Sequence, residues 1–180
     1  MRWLQAVFVL LLYLWLAFGV LMLAARAAEP PLSTWRNSAM ITLHKGDVDT
    51  LSRTLFGEAR GEKLAGMHAV AWVILNRAKR GSPRFPSTIS GVCKQKFQFT
   101  CWAENDPNSK ACARANDSDP FFVMAIHAAT GVLAGQVPDP TLGADHYHTI
   151  GMRPYPGWAS TMELTAVIGQ HRFYKEGGAK

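Results

Sequence analysis

The sequence predicts an α+β domain, mainly helical, with a small sheet near its C-terminal end and a long apolar segment ahead of it. Three observations carry this. Val48, Leu51 and Leu55 recur at helical spacing. Residues 69–75 are apolar on every side, as in a buried central helix. Residues 138–157 read as a turn–strand–turn unit centred on residues 143–149, and helices followed by strands define the class.

From the start of the chain, residues 3–25 are apolar apart from Gln5. As a helix this run spans about 35 Å, enough to cross a hydrocarbon core of about 30 Å. Arg2 and the free amine at its start favour a cytoplasmic N-terminus and export of everything downstream. Two fates are open: a retained signal-anchor, or a signal peptide cut at the small-x-small site Ala25-Arg26-Ala27. Both place the rest outside the cytoplasm. The expected organisation is a signal-anchor or signal peptide over residues 1–27, a linker over 28–46 that contains Pro30-Pro31, and one domain over 47–180.

The domain opens with a helix behind Asp47 or Asp49 as N-cap. Glu58 follows Leu55 by three positions and Leu51 by seven, so it shares their apolar side. If the helix continues through Gly61, Glu62 lies one turn further along. A carboxyl group aimed at a core or cleft has its charged form disfavoured, which suits a general acid. The plainer reading is a solvated Glu or the partner of Arg60 or Arg77. Gly57 and Gly61 cost a helix about 1 kcal/mol each and suggest close backbone approach or a helix end.

A second helix is expected over residues 64–79, with Gly81 as its stop. Residues 82–118 read as one long irregular loop, made functional in character by Phe97, Phe99, Trp102 and three cysteines. Ser118-Asp119-Pro120 starts a third helix that ends near Gly135. A last apolar segment, residues 166–169, leads into His171-Arg172-Phe173-Tyr174. Cys93, Cys101 and Cys112 in an exported chain suggest a loop staple; of three single pairings, Cys93–Cys101 is favoured.

A net charge of +6 suits an anionic envelope target. No Lys/Arg block or zinc-finger spacing supports nucleic-acid binding. No nucleophile elbow, phosphate-cradling loop or dinucleotide fingerprint is present. His146 and His148, two apart, share one face of a strand, with Asp145 and Tyr147 on the other. They form either a metal half-site, with His171 as the third candidate ligand, or, with Tyr147, the polar wall of a cleft for a hydroxyl- and amide-rich ligand. Gln98, Phe99 and Trp102 combine an amide with aromatic faces, as carbohydrate sites do. Asn76 closes an otherwise apolar helix and is placed to hydrogen-bond near Glu58.

The block Phe56-Gly57-Glu58-Ala59-Arg60-Gly61-Glu62, the helix running from Gly66-Met67 to Asn76-Arg77, and Gln98-Phe99-Thr100-Cys101-Trp102 resemble the SleB/CwlJ-type cell-wall hydrolases. Ile168-Gly169-x-His171-x-Phe173 extends the likeness, which covers residues 49–174. The resemblance implies a lysozyme-like fold, cleavage of peptidoglycan glycan strands, and Glu58 as the catalytic acid. The leading expectation is a lytic transglycosylase with a single carboxylate; muramidase-type hydrolysis with Glu62 as second carboxylate is the alternative. A metal-dependent peptidase or amidase using His146 and His148, or a non-catalytic wall-binding module, are further readings. No cofactor or metal is implied by the preferred reading. A monomer tethered to the membrane through residues 3–25, with its domain facing the periplasm or cell wall, is expected. The chain departs from the family pattern at residues 107–117 and in its histidine-rich residues 143–150, which points to general envelope remodelling or a virus-encoded lysis enzyme rather than a spore role.

Overall fold

The structure is a computed structural model that describes residues 43–44, 46–81 and 83–177. The expected membrane segment and most of the linker lie outside the described residues; among those described, no helix is long and apolar enough to cross a membrane. Five helices, α1 (Asp47–Ala59), α2 (Lys63–Arg80), α3 (Ile89–Cys93), α4 (Pro107–Arg114) and α5 (Pro120–Leu133), precede a sheet of β1 (His146–Thr149), β2 (Glu163–Ile168) and β3 (His171–Lys175). Short 3₁₀ turns at Arg60–Glu62, Thr100–Trp102 and Gly157–Ser160 link them. The class is mainly helical α+β, as the sequence pattern indicates.

The apolar faces of α1, α2 and α5 make the main core, with Leu51, Leu55, Met67, Val70, Ile74, Ala125 and Ala129 fully enclosed. A second cluster, Ala69, Val73, Ala144 and Phe173, joins the far side of α2 to the sheet. The all-round apolar character of α2 thus has its reason: helices cover one side and strands the other. Gly81 ends α2 in the left-handed region, φ 51°, as the sequence predicts. The sheet is antiparallel in the order β1–β3–β2, with Tyr147 opposite Phe173 and His148 opposite Arg172.

The structure corrects three expectations. Gly46, φ 99°, caps α1 in place of Asp47 or Asp49. Asp47 is instead buried and accepts hydrogen bonds from the amides of His44 (2.7 Å) and Ser90 (3.3 Å) and from Ser90 Oγ (2.6 Å), bracing α1 against α3. Residues 82–118 are not one irregular loop, since α3, a 3₁₀ turn and α4 lie within them. Asp106-Pro107 starts α4 with the same cap chemistry as Asp119-Pro120, Asp106 accepting from the Asn108 amide at 2.7 Å. Only Cys112 of α4 is buried, so the helix carries almost no apolar stripe to reveal it. Finally, α1 does not continue through Gly61: it stops at Ala59, and the backbone reverses through Lys63 at φ 59°.

Replacing Asp47 by Ala strands two buried Ser90 donors and the His44 amide. The expected cost is about 3 kcal/mol, read as a lowered urea midpoint with an unchanged m-value.

Candidate active site

Glu58 lies on the last turn of α1, half-buried, at the wall of a groove of about 770 Å³. Its environment is built by one close approach. A Cβ at Gly57 would sit 2.6 Å from Cys101 Cβ and 3.0 Å from Cys112 Sγ, so only glycine lets the Thr100–Trp102 turn and α4 press onto α1 here. Trp102 Nε1 then donates to Thr54 Oγ1 at 3.0 Å, and Arg53 Nη1 to the carbonyls of Cys112 (2.6 Å) and Ala113 (3.1 Å). Arg60 Nη2 reaches Asn108 Oδ1 at 2.9 Å. The clamped turn offers the backbone N–H groups of Thr100 and Cys101 to the Glu58 carboxylate.

Burial raises the Glu58 pKa above the ordinary 4.5, and the negative charge of Asp106 adds to this; the two amides oppose them without cancelling them. Across the groove, β1 presents His146, Tyr147, His148 and Thr149. Tyr147 lies on the Glu58 side, its ring stacked on Phe173 at 5.7 Å and edge-on to His171 at 5.1 Å. Burial and the Glu58 charge push its phenol up, so it stays protonated. His146 and His148 pack against Trp158 at 5.2 and 5.8 Å. His146 Nδ1 pairs with Asp145 Oδ1 at 2.7 Å, while both nitrogens of His148 are engaged, by Thr149 O (2.9 Å) and Tyr174 OH (3.1 Å). Burial alone would raise Asp145, but bonds from His146 and the Glu176 amide, with Arg80 beside it, hold its carboxyl below the usual value.

The groove floor includes Arg77, which sequence reasoning offered only as an ion-pair partner. It is buried, with Nε donating to Asp145 O at 2.6 Å and Nη1 to Gln98 Oε1 at 3.3 Å. Its guanidinium lies 5.0 Å over Phe85 and 5.7 Å over Phe99. Trp158 and Phe85 are further lining residues without an assigned role in the sequence reading, and His171, the third candidate ligand there, lines the groove with them. Burial lowers the His171 pKa below 6.5, leaving the ring neutral at pH 7.

Of the residues singled out from sequence, Glu58, Gln98, Phe99, His146, Tyr147 and His148 meet in the groove. Three others do not. Asn76 donates instead to Asp139 Oδ2 and to Ala144 O, both at 3.0 Å, and so holds the loop before β1. Trp102 lines a neighbouring cavity behind the turn. Glu62, displaced by the early end of α1, accepts at Oε2 a hydrogen bond from the Gln170 amide at 2.8 Å. Gly66 and Gly169 make room for it: added Cβ atoms would lie 2.2 Å from Glu62 Cβ and 2.0 Å from its Oε2. All three cysteines are free and buried. The favoured Cys93–Cys101 pairing is contradicted, because Cys101 hydrogen-bonds Cys112 whereas Cys93 faces Thr54.

A family model for Cell Wall Hydrolase matches residues 61–174. The spore cortex-lytic enzyme of Halalkalibacterium halodurans is 33% identical over 127 residues, 71% of this chain and 34% of that protein. The spore cortex-lytic enzyme of Oceanobacillus iheyensis is 42% identical over 135 residues, 73% of this chain and 42% of that protein. The chain thus aligns with well under half the length of these relatives. Among solved structures, the catalytic domain of the Bacillus cereus SleB protein superposes with a TM-score of 0.59 at 28% identity, over 77% of this chain and 97% of that one. The catalytic domain of the germination-specific lytic transglycosylase SleB from Bacillus anthracis gives 0.57 at 29% identity, over 76% and 100%.

Mild oxidation should link Cys101 to Cys112 and leave Cys93 reduced, since Cys101 and Cys112 lie side by side, with the Cys112 thiol held down by its bond to Cys101, whereas Cys93 is buried apart from them against Thr54. Peptide mapping by mass spectrometry reads the outcome; a Cys93–Cys101 peptide contradicts this placement.

Proposed function

The chain belongs to the cell wall hydrolase family, and on that premise we propose that it cleaves peptidoglycan glycan strands as a lytic transglycosylase at the MurNAc–GlcNAc linkage. Glu58, kept protonated by burial, donates to the glycosidic oxygen as the bond to muramyl C1 breaks through an oxocarbenium-like state. The carboxylate so formed is held by the amides of Thr100 and Cys101. It then takes the proton of the muramyl C6 hydroxyl, whose oxygen closes onto C1 to give the 1,6-anhydro product.

The observation that carries this reading is the groove's lining: among the described residues around it, Glu58 is the single carboxylate. Hydrolytic glycosidases use two, about 5–9.5 Å apart across the scissile bond. Glu62, the remaining candidate, is committed to the Gln170 amide. A single acid that gives and then recovers a proton needs no partner. Gln98, His146 and Tyr147 supply polar contacts to the sugars, His148 with both nitrogens engaged holds the wall behind them, and Trp158 and Phe99 supply aromatic faces. Asn76 and Trp102 hold the walls. The name of the Bacillus anthracis neighbour supports the same chemistry.

In this reading the domain over residues 47–180 acts as an exported monomer on the cell wall. Residues 1–27 serve as signal-anchor or, after cleavage near Ala27, as signal peptide, and residues 28–46 as linker. The apolar run over residues 3–25 behind Arg2 supports the export.

Glu58→Gln should lower glycan cleavage at least about 100-fold while the protein stays folded. Mass spectrometry of products from the native enzyme should show anhydro-muramyl ends; reducing ends mean hydrolysis. Activity should fall as pH rises through the elevated Glu58 pKa, placing the alkaline limb above 4.5. The sign for stability follows. Native Glu58 binds its proton more tightly than unfolded Glu58, so its contribution is full below pH 4.5 and lost as pH rises through the native value. Glu58→Gln should therefore gain thermal stability relative to the parent at pH 7 and lose that gain below pH 4.5.

A further inference from the structure

Behind the Thr100–Trp102 turn lies a second cavity of about 440 Å³, and Phe99 lines both it and the Glu58 groove. Its wall carries Lys94, Lys96, Phe97, Thr100 and Trp102, and among its lining residues there is no carboxylate. The two ammonium groups stand over aromatic rings, Lys94 Nζ 5.1 Å from the Trp102 centroid and Lys96 Nζ 4.9 Å from that of Phe97. Neither lysine forms an ion pair with a described residue. Phe97 is 90% exposed and sits at φ 66°, a left-handed backbone that disfavours bulky side chains. A strained loop thus displays a largely exposed aromatic ring with the Lys96 ammonium beside it.

Resting on the glycan-cleaving reading above, we infer that this cavity binds the acidic stem peptide of the muramyl residue held beside Glu58. The peptide departs from the lactyl group at O3 of that sugar, so it leaves the groove sideways. Phe99 is the residue common to the walls of the groove and the cavity. A stem peptide carries free carboxylates for Lys94 and Lys96, and alanyl methyl groups for the exposed face of Phe97. While the stems are attached the sugars are neutral and offer nothing to the two ammonium groups; stripping a stem frees a single lactyl carboxylate at the sugar. The charge complementarity therefore selects the peptide over a further stretch of glycan.

The test compares one set of glycan strands before and after removal of their stems by an amidase. Reversing two exposed charges should reduce the preference for peptide-bearing strands by about tenfold. The native enzyme should cleave peptide-bearing strands with the lower KM. Lys94→Glu with Lys96→Glu should remove that advantage through KM, change cleavage of stripped strands less than twofold, and flatten the salt dependence. Phe97→Ala should show the same selectivity to a smaller degree. Equal cleavage of both substrates by the native enzyme, or equal loss on both in the variant, overturns the inference. Amide chemical-shift titration with the isolated stem tetrapeptide separates the two readings. Shifts confined to residues 94–103 in the native protein and absent from the double variant support the peptide site even if no strand is cut. No shifts overturn it, even if strands are cut.

Discussion

Everything in the groove depends on how closely the Thr100–Trp102 turn approaches α1 at Gly57. With any side chain there, the turn would have to withdraw from Cys101 and Cys112. Its amides would then no longer reach the Glu58 carboxylate. The approach is held by long-range polar ties at either side, Trp102 to Thr54 and Arg53 to the carbonyl end of α4. None of these is a large interaction alone. Together they place two N–H dipoles on one oxygen acid whose surroundings are otherwise poor in solvent.

That arrangement serves both protonation states. Burial disfavours the anion and so favours the protonated acid; the amides lessen that penalty, so the anion is tolerated once the proton has gone. A buried acid without donors would hold its proton too firmly. Donors without burial would leave it ionised at neutral pH. The rest of the groove adds no second carboxylate: its groups are a phenol kept protonated by burial, a neutral His171 and, in the floor, a buried Arg77 fastened to backbone and amide oxygens.

Glu58 is legible in the sequence because its position relative to Leu51 and Leu55 is a local property of one helix. The same holds for α2, α5 and the stop at Gly81. Glu62 and Asn76 are residues of equally suggestive type, yet their partners Gln170 and Asp139 lie 108 and 63 positions away. Such pairings are tertiary and leave no periodic trace. Tyr147 lines the groove with His146 and His148 as expected, although strand alternation sets it opposite them. Arg77 hides inside an apolar helix, where a cation reads as an interruption until its carbonyl and amide partners are seen. The cysteine pairing, too, follows from where α4 packs, and a polar helix with one buried residue gives little notice of its packing.

Glu62 has a consequence for how the cleft behaves as a solid object. Its carboxylate bolts the α1–α2 junction to the β2–β3 hairpin, with Gly66 and Gly169 cut away to seat it. One jaw bears the acid, and the other bears His171 and, through β3, the neighbours of Tyr147. The gap between the jaws is therefore gauged at its root by this hydrogen-bonded oxygen together with the apolar seam between α2 and the sheet, like callipers locked by a screw. Such a tool admits a polymer of the right calibre along its length and does not close around an arbitrary guest.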